Sequence, residues 1–281
     1  MYSCKEYSEI IKRNIYKHVS ILPNHPKLVV IQIGDDPASC SYVKGKEKDC
    51  KDVGILFDHI KLQEDVAEDD LRDLILSLNN KDDVNGIILQ LPVPKHIDIK
   101  FIQSIIDEDK DVDGFNVNSN FDPCTPKGVI DYLKYHNYKF EGKTACVVGR
   151  SDIVGKPLAQ MLIDQDCTVT VCHSKTEEDD LRENMYWSDI VFTCTNQIGY
   201  YDETYFDKES DIIDIGLGIG EDGKLCGNIT KKAATVLKED GDRICISGIG
   251  GVGLLTRLAL LVNTLKAYYL QNGKTIPNWM Q

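Results

Sequence analysis

Eight short apolar runs recur along this 281-residue chain, most of them separated by segments whose apolar residues have helical spacing. They are KLVVIQIG (27–34), LFDHIKL (56–62), GIILQL (86–91), KTACVVG (143–149), TVTVCH (168–173), DIVFTCT (189–195), DIIDIG (211–216) and RICISG (243–248). Near-continuous apolar runs of this length read as strands buried on both faces. Their alternation with helices points to parallel sheets, because parallel neighbours need a crossover connection, usually a helix. The rhythm breaks once, at DEDKDVDGFNVNSNFDPCTPKG (107–128), which is rich in Asp, Asn, Pro and Gly. At about 100–200 residues per domain the length suits two domains. The expectation is an α/β chain of two α/β domains, 1–120 and 121–255, closed by a helix over GLLTRLALLVNTLKAYYL.

Further helices are predicted over EYSEIIKRNIYKHV and EDDLRDLILSLN, and Ser39 or Ser41 is expected to cap one running to about Asp52. The acidic runs QEDVAEDD and KTEEDD suit helix starts, where carboxylates meet the positive end of the helix dipole. No internal repeat and no low-complexity segment interrupt this plan.

Thirty-two basic residues stand against 45 acidic ones, a net charge of −13. That balance argues against a nucleic-acid partner, which wants a basic surface. An anionic small ligand would need a local cluster of cations. Ten cysteines include no CxxC pair, so neither a zinc site nor a redox pair is predicted. The charged N-terminal segment is no signal peptide, and no apolar stretch is read as membrane-spanning. The expected setting is the reducing cytoplasm, with no membrane partner.

VVGRSDIVGKP (147–157) joins a strand to a helix through a loop holding Gly149 and Gly155. Such a joint points backbone N–H groups and a positive dipole end at whatever lies above it, and phosphate is the natural guest. Arg150 and Ser151 add a cation and a hydroxyl. The loop is not GxGxxG, so a tight turn without a ligand is the competing reading. The next strand ends in CHSKT, where doubly wound folds read the adenosine ribose. NAD-selective sites often place an acid there. Here His173, Ser174, Lys175 and Thr176 stand instead, which suits a 2′-phosphate and favours NADP over NAD.

In PASCSYVKGKEKDCKDVGI, Tyr42 and Lys46 are four apart and share a helix face. Lys44 and Lys48 add positive charge. Crowding or burial lowers a lysine's pKa and fits it for proton transfer. A solvated amphipathic helix explains the same spacing.

Together these segments resemble the bifunctional methylenetetrahydrofolate dehydrogenase/methenyltetrahydrofolate cyclohydrolase family. The blocks that carry the resemblance are SYVKGKEKDCKDVGI, NGIILQLPVPKHID, KDVDGFNVNSN, PCTPKGV, VVGRSDIVGKPLAQML, CHSKT, IIDIG and, over 250–264, GGVG, LT and LLVNT, in the family's order and spanning nearly the whole chain. The resemblance implies a folate domain, a Rossmann-type doubly wound cofactor domain, and a final helix (about 256–281) that returns to pack on the first. It implies an active site in the cleft between the domains and a homodimer through the cofactor domains.

It also implies roles. Tyr42 would stack on the folate, Lys46 would be the catalytic lysine, Gln90 would hydrogen-bond and tune it, and Asp113 would bind the pterin edge. Leu91, Pro92, Gly250 and Gly251 join them as substrate-binding residues. Gly149, Arg150, Ser151, Ile153, Val154, His173, Ser174, Thr176, Thr195 and Gly216 would bind NADP. No metal is implied. The implied reactions are NADP-dependent oxidation of 5,10-methylenetetrahydrofolate to the methenyl cation and its hydrolysis to 10-formyltetrahydrofolate. A carboxylate accepting paired hydrogen bonds suits the donor-rich pterin edge, although an Asx turn beside Gly114 would also place an Asp at 113.

The departures from the family pattern cluster. Ser247, Ile249 and Leu254 replace prolines, TNQI replaces TGxP at Asn196 and Ile198, GLG replaces GIN at Gly218, and GNI replaces GDV at Asn228. All lie at or just beyond the carboxyl ends of second-domain strands, where doubly wound folds bind cofactor. Lost prolines free φ and loosen a loop. The expectation is a weakened or altered hydride-transfer half. The competing readings are a cyclohydrolase with a cofactor domain kept as scaffold, a non-catalytic folate-binding protein, and an unrelated NADP dehydrogenase.

Overall fold

The structure is a computed structural model and describes residues 3–220, 223–239 and 243–280. Met1, Tyr2 and Gln281, the outermost residues of the expected domain ranges, lie outside it. Two compact units emerge, one over Ser8–Cys124 with the segment from Arg257 onward, the other over Thr125–Thr256 with the segment up to Tyr7.

The first unit takes in α1 (Cys4–Val19) from Ser8 onward, then β1 (Lys27–Ile33), α2 (Pro37–Val53), β2 (Leu56–Leu62), α3 (Glu68–Asn79), β3 (Gly86–Leu89) and α4 (Ile99–Ser104). Its three strands are parallel in the order β2-β1-β3. The inner strand β1 is buried from Leu28 on and β3 is buried throughout, as their apolar runs require. The cap of α2 corrects the sequence reading. Asp36, not Ser39 or Ser41, is the cap, and its carboxylate accepts the Ser39 N–H at 2.8 Å. Pro37 at the first helical position makes the short acid before it the natural cap.

Lys110 closes α3 at the other end. Its ammonium is buried and donates to the carbonyls of Asn79 and Lys81, both at 2.7 Å. Asn79 O, at the last position of α3, has no helical partner, and a cation there also meets the negative end of the dipole.

The second unit holds α5 (Cys124–Tyr135) from Thr125 onward, β4 (Thr144–Val148), α6 (Gly155–Ile163), β5 (Thr168–Cys172), α7 (Glu178–Tyr186), β6 (Ile190–Thr193) and β7 (Asp211–Asp214). It continues with β8 (Gly218–Ile219), β9 (Leu225–Cys226), α8 (Lys231–Glu239) and β10 (Cys245–Ile246). Five parallel strands run in the order β10-β7-β6-β4-β5. Renumbered within the sheet this is 2-1-3-4-5, a doubly wound order whose direction of growth reverses between β4 and β6. α3 and α7 each carry three acids in the first turn, as their acidic runs predict.

Three helices escaped the sequence reading. α5 begins inside the segment read as a boundary, because Pro126 in its first turn and Gly128 disguise it. Gly128 is there for space: a Cβ on it would stand 2.4 Å from the Leu255 carbonyl oxygen. α4 and α8 are short.

The chain closes with α9 (Gly253–Gln271). From Arg257 onward it belongs with the first unit, where Asn263 Nδ2 donates to Val112 O at 3.0 Å and Gln271 Nε2 to Asn85 O at 3.0 Å. One expectation fails here: Gly248–Gln271 is long and apolar enough to match a membrane span, with a mean hydropathy of 1.5. Burial inside the protein covers 67% of that window, so its apolarity is accounted for by packing.

Candidate active site

In the first unit, α2 and the end of β3 bring together the residues expected to act on folate. Tyr42 is 37% exposed and Lys46 half-buried one turn on. Lys46 Nζ donates to Gln90 Oε1 at 3.0 Å. The other end of that amide is fixed, because Gln90 Nε2 donates to Leu91 O at 2.7 Å and the Gln90 backbone N–H continues the sheet to Ile31 O at 2.8 Å. With Nε2 engaged, only the carbonyl oxygen can face the lysine. Leu91–Pro92 is a cis peptide, and Leu91 O also accepts the Ser39 hydroxyl at 3.1 Å, tying this turn to the start of α2.

Asp113 lies near Lys46. Burial raises its pKa, the positive charge of Lys46 opposes that rise, and a hydrogen bond from Cys124 opposes it too. Gly114 needs its left-handed φ of 74°, and a Cβ there would stand 2.6 Å from Phe121 O. The neighbouring Asp111 is buried, with a pKa raised to about 6, chiefly by desolvation and against the Asn116 N–H that it accepts at 2.7 Å. So Tyr42, Lys46, Gln90, Leu91, Pro92 and Asp113 all belong to one unit, while Gly250 and Gly251 belong to the other.

In the second unit a cavity of about 730 Å³ opens at the carboxyl ends of the strands. Gly149, Arg150, Ser151, Ile153 and Val154 line it from the loop after β4, His173, Ser174 and Thr176 from the turn after β5, Thr195 from the end of β6, and Gly216 from the end of β7. All ten residues expected at the cofactor therefore share one cavity, across the point where the strand order reverses.

The glycines there are dictated by sterics. Gly149 has φ 132°, and a Cβ would stand 2.5 Å from Cys194 O. A Cβ on Gly155 would stand 2.3 Å from Gly149 O. Ser151 turns inward: its hydroxyl accepts the N–H groups of Val154 at 3.2 Å and Gly155 at 3.3 Å, locking the loop onto α6. The turn after β5 is held by His173 N–H to Thr176 Oγ1 at 2.9 Å. Lys175 is exposed and is not among the lining residues.

Sequence reasoning missed Cys194, Tyr201 and Glu178, which also line the cavity. Cys194 follows β6 directly, so the strand-end rule could have found it. Burial pushes its thiol up to about 12, which leaves it inert. Nothing in the sequence marks Glu178, whose carboxylate is held by Arg182 Nε at 3.0 Å and by the Tyr205 hydroxyl.

The departures turn out to be coupled. Asn228 is fully buried, and its side chain accepts Thr195 N–H at 3.0 Å and donates to Thr195 O at 3.0 Å and Gln197 O at 2.9 Å. It thus clamps the loop that contains Asn196. A Cβ on Gly218 would stand 2.7 Å from Ile198 Cγ1, so those two changes accommodate one another. Where prolines are missing, Ser247 Oγ accepts the Ile249 N–H at 3.2 Å, and Val252 N–H reaches Ser247 O at 3.2 Å. Hydrogen bonds restore part of the order that proline rings would have given.

Comparison with known proteins gives consistent matches. The family model described as tetrahydrofolate dehydrogenase/cyclohydrolase, catalytic domain, matches residues 2–113. Its NAD(P)-binding domain counterpart matches residues 123–272. The bifunctional protein FolD of Ruminiclostridium cellulolyticum is 40% identical over 258 residues, covering 89% of each chain. That of Bacillus cereus strain G9842 is 41% identical over 251 residues, 86% of each. Among solved structures, the bifunctional FolD dehydrogenase/cyclohydrolase of Campylobacter jejuni superimposes with a TM-score of 0.89 at 35% identity, covering 94% of this chain and 96% of that one. The Trypanosoma brucei FolD, crystallised with NADP cofactor and an inhibitor, gives 0.85 at 26% identity, covering 96% and 97%.

Proposed function

The chain belongs to the tetrahydrofolate dehydrogenase/cyclohydrolase family, and from that premise we propose how its residues divide the work of this enzyme of one-carbon folate metabolism. The two reactions are oxidation of 5,10-methylenetetrahydrofolate to 5,10-methenyltetrahydrofolate and hydrolysis of that cation to 10-formyltetrahydrofolate. The observation that carries the residue assignment is the 3.0 Å bond from Lys46 to Gln90.

For hydrolysis, Tyr42 stacks on the folate and Asp113 accepts paired hydrogen bonds from the pterin edge. Gln90 holds Lys46 Nζ by one hydrogen bond and leaves the rest of the amine for the substrate. Water adds to the methenyl carbon while Lys46 Nζ takes one of the water's protons. The lysine then returns that proton to N5 as the C–N5 bond breaks, while the hydroxyl proton of the adduct leaves to solvent and its oxygen becomes the carbonyl of the formyl group on N10, so one proton is released overall. Charge and atoms balance over the two steps, and one residue serves as base and then acid.

For oxidation, NADP is the preferred cofactor over NAD. The residues present fit a dinucleotide: Gly149 and Gly155 let backbone approach closely, and the cavity sits at the reversal of strand order. Arg150 and Ser174 are the groups for a 2′-phosphate, and Thr195 and Gly216 form the wall beyond. Bound NADP supplies the hydride acceptor, and the protein's share of that step is orientation. The mutual fit of Asn228 with the Thr195–Gln197 loop, and of Gly218 with Ile198, supports retention of the oxidation half.

Dimerisation through the second unit and a cytoplasmic setting complete the proposal. Supporting the first, β5 is an edge strand with Val171 38% exposed, on a unit that also exposes Ile163 by 52% and Trp187 by 73%. Supporting the second, no disulfide joins any of the ten cysteines among the described residues.

The test follows methenyltetrahydrofolate absorbance with the intact protein and with Lys46→Met, alongside NADP and NAD titrations. Absorbance loss that is abolished by Lys46→Met is expected, and loss undiminished in that variant would remove the assignment.

A further inference from the structure

Tyr42, Gly45, Lys46 and Asp49 recur at i, i+3, i+4 and i+7 of α2 and share one face of that helix. Arg257, near the start of α9, lies across the same face. A Cβ built on Gly45 stands 3.5 Å from Arg257 Nη1 and 3.6 Å from its Cζ, so a side chain larger than methyl at 45 would displace the guanidinium. Arg257 Nε donates to Asp49 Oδ2 at 2.5 Å, and Lys12 Nζ holds Oδ1 of the same buried carboxylate at 2.5 Å. Lys12 also pairs with Asp52 at 3.4 Å.

Tying α9 to α2 needs only the Nε–H. Among the described residues, Nη1 and Nη2 of Arg257 donate to nothing, and the side chain stays 24% exposed. With Nε at Asp49 and Nη1 over Gly45, the guanidinium runs along α2 toward its N-terminal end, where Tyr42 stands one turn further on. A fork of free donors fixed beside Tyr42 and Lys46 is a carboxylate receptor by geometry. The whole chain carries a net charge of −13, so an anionic group at this face requires such a local cation.

We propose that Arg257 binds the glutamyl carboxylate of the folate tail. This rests on the reading that Tyr42 and Lys46 hold the pterin and the reacting carbon. Folate continues from there through an aminobenzoyl group to one or more glutamates, the anionic part of the substrate.

The experiment compares hydrolysis of methenyltetrahydrofolate with that of the same compound truncated at the benzoate, lacking glutamate, in the intact protein, in Arg257→Met and in Arg257→Lys. Losing a charge-assisted bidentate contact is expected to raise KM for the glutamylated substrate about tenfold or more in Arg257→Met, with Arg257→Lys between the two. KM for the truncated substrate should change by less than about twofold, because that contact is already missing. KM does not depend on the fraction of folded enzyme, so partial misfolding of a variant does not blur the comparison. Equal KM changes for both substrates would overturn the proposal and leave Arg257 a tie between helices. Absence of hydrolysis of either substrate by the intact protein would instead remove the reading of the Lys46 site itself.

Discussion

Lys46 and Gln90 are 44 positions apart in sequence and 3.0 Å apart in the fold. One rides on a helix and the other ends a strand whose backbone is locked to Ile31. The glutamine amide cannot turn, because its Nε2 is committed to Leu91 O. Replacing it with leucine removes the acceptor and keeps the bulk. Gln90→Leu should lower hydrolysis by about a hundredfold, the scale of misplaced acid–base catalysis. A leucine variant with the rate of the intact protein would show that the bond does not serve the reaction.

Gly149 shows what the cofactor cavity demands of the backbone. At φ 132° and with Cys194 O 2.5 Å from a built Cβ, alanine has neither the conformation nor the space. Gly149→Ala should cost about 1–3 kcal/mol of stability, as strained positions do. It should also weaken NADP binding at least tenfold by fluorescence titration, since the loop and the end of β6 must part. Unchanged NADP affinity would mean that the dinucleotide does not rest on this loop.

Much of this was legible in the sequence, for physical reasons. All eight apolar runs contain strands: burial on both faces leaves a near-continuous apolar composition in inner strands such as β1, β4 and β6, while the edge strands β2 and β5 stay largely exposed and carry polar residues between their apolar ones. The ten residues around the cavity were readable because strand ends and the loop after β4 sit at predictable places in a doubly wound sheet. What escaped depended on contacts between distant segments. Asp36 outcompetes the serines as a cap because Pro37 fixes where the helix begins. Arg257 acquires meaning only when α9 lies against Gly45. Ile198 and Gly218 read separately as losses and are together a fit.

Asp111 should make the protein less stable as pH rises. Burial holds its folded-state pKa at about 6, above the value of about 3.9 in an unfolded chain. A raised acid binds its proton more tightly when folded, so its favourable contribution is full below the unfolded value and is lost as pH climbs through 6. The swing is on the order of 3 kcal/mol between pH 4 and pH 8. Asp111→Asn keeps an oxygen for the Asn116 N–H and removes the ionisation. Urea midpoints of the intact protein and the variant should therefore diverge between about pH 4 and about pH 7, the intact protein falling further, and run parallel above that. Curves parallel throughout would show that Asp111 is charged at no cost.

Ile198 and Gly218 provide the sharpest test of whether the departures around the cofactor wall form a set. Ile198 is half-buried at the end of the loop that Asn228 clamps, and Gly218 opens the short strand β8 beside it. A methyl on Gly218 would meet Ile198 Cγ1 at 2.7 Å and Cδ1 at 2.9 Å, so the isoleucine must leave its rotamer. Gly218→Ala should cost about 1–3 kcal/mol, the range for overpacking a filled site. Ile198→Ala alone leaves a gap of its own. Combined, each change relieves the other, and the double variant should be more stable than the sum of the singles by about 1 kcal/mol. The same cycle applied to the KM for NADP should show the same sign, because Gln197 and Leu217, the neighbours of these two residues, line the cavity. Additive effects in both measurements would mean that the two substitutions arose independently, and that the cofactor wall tolerates each for a separate reason.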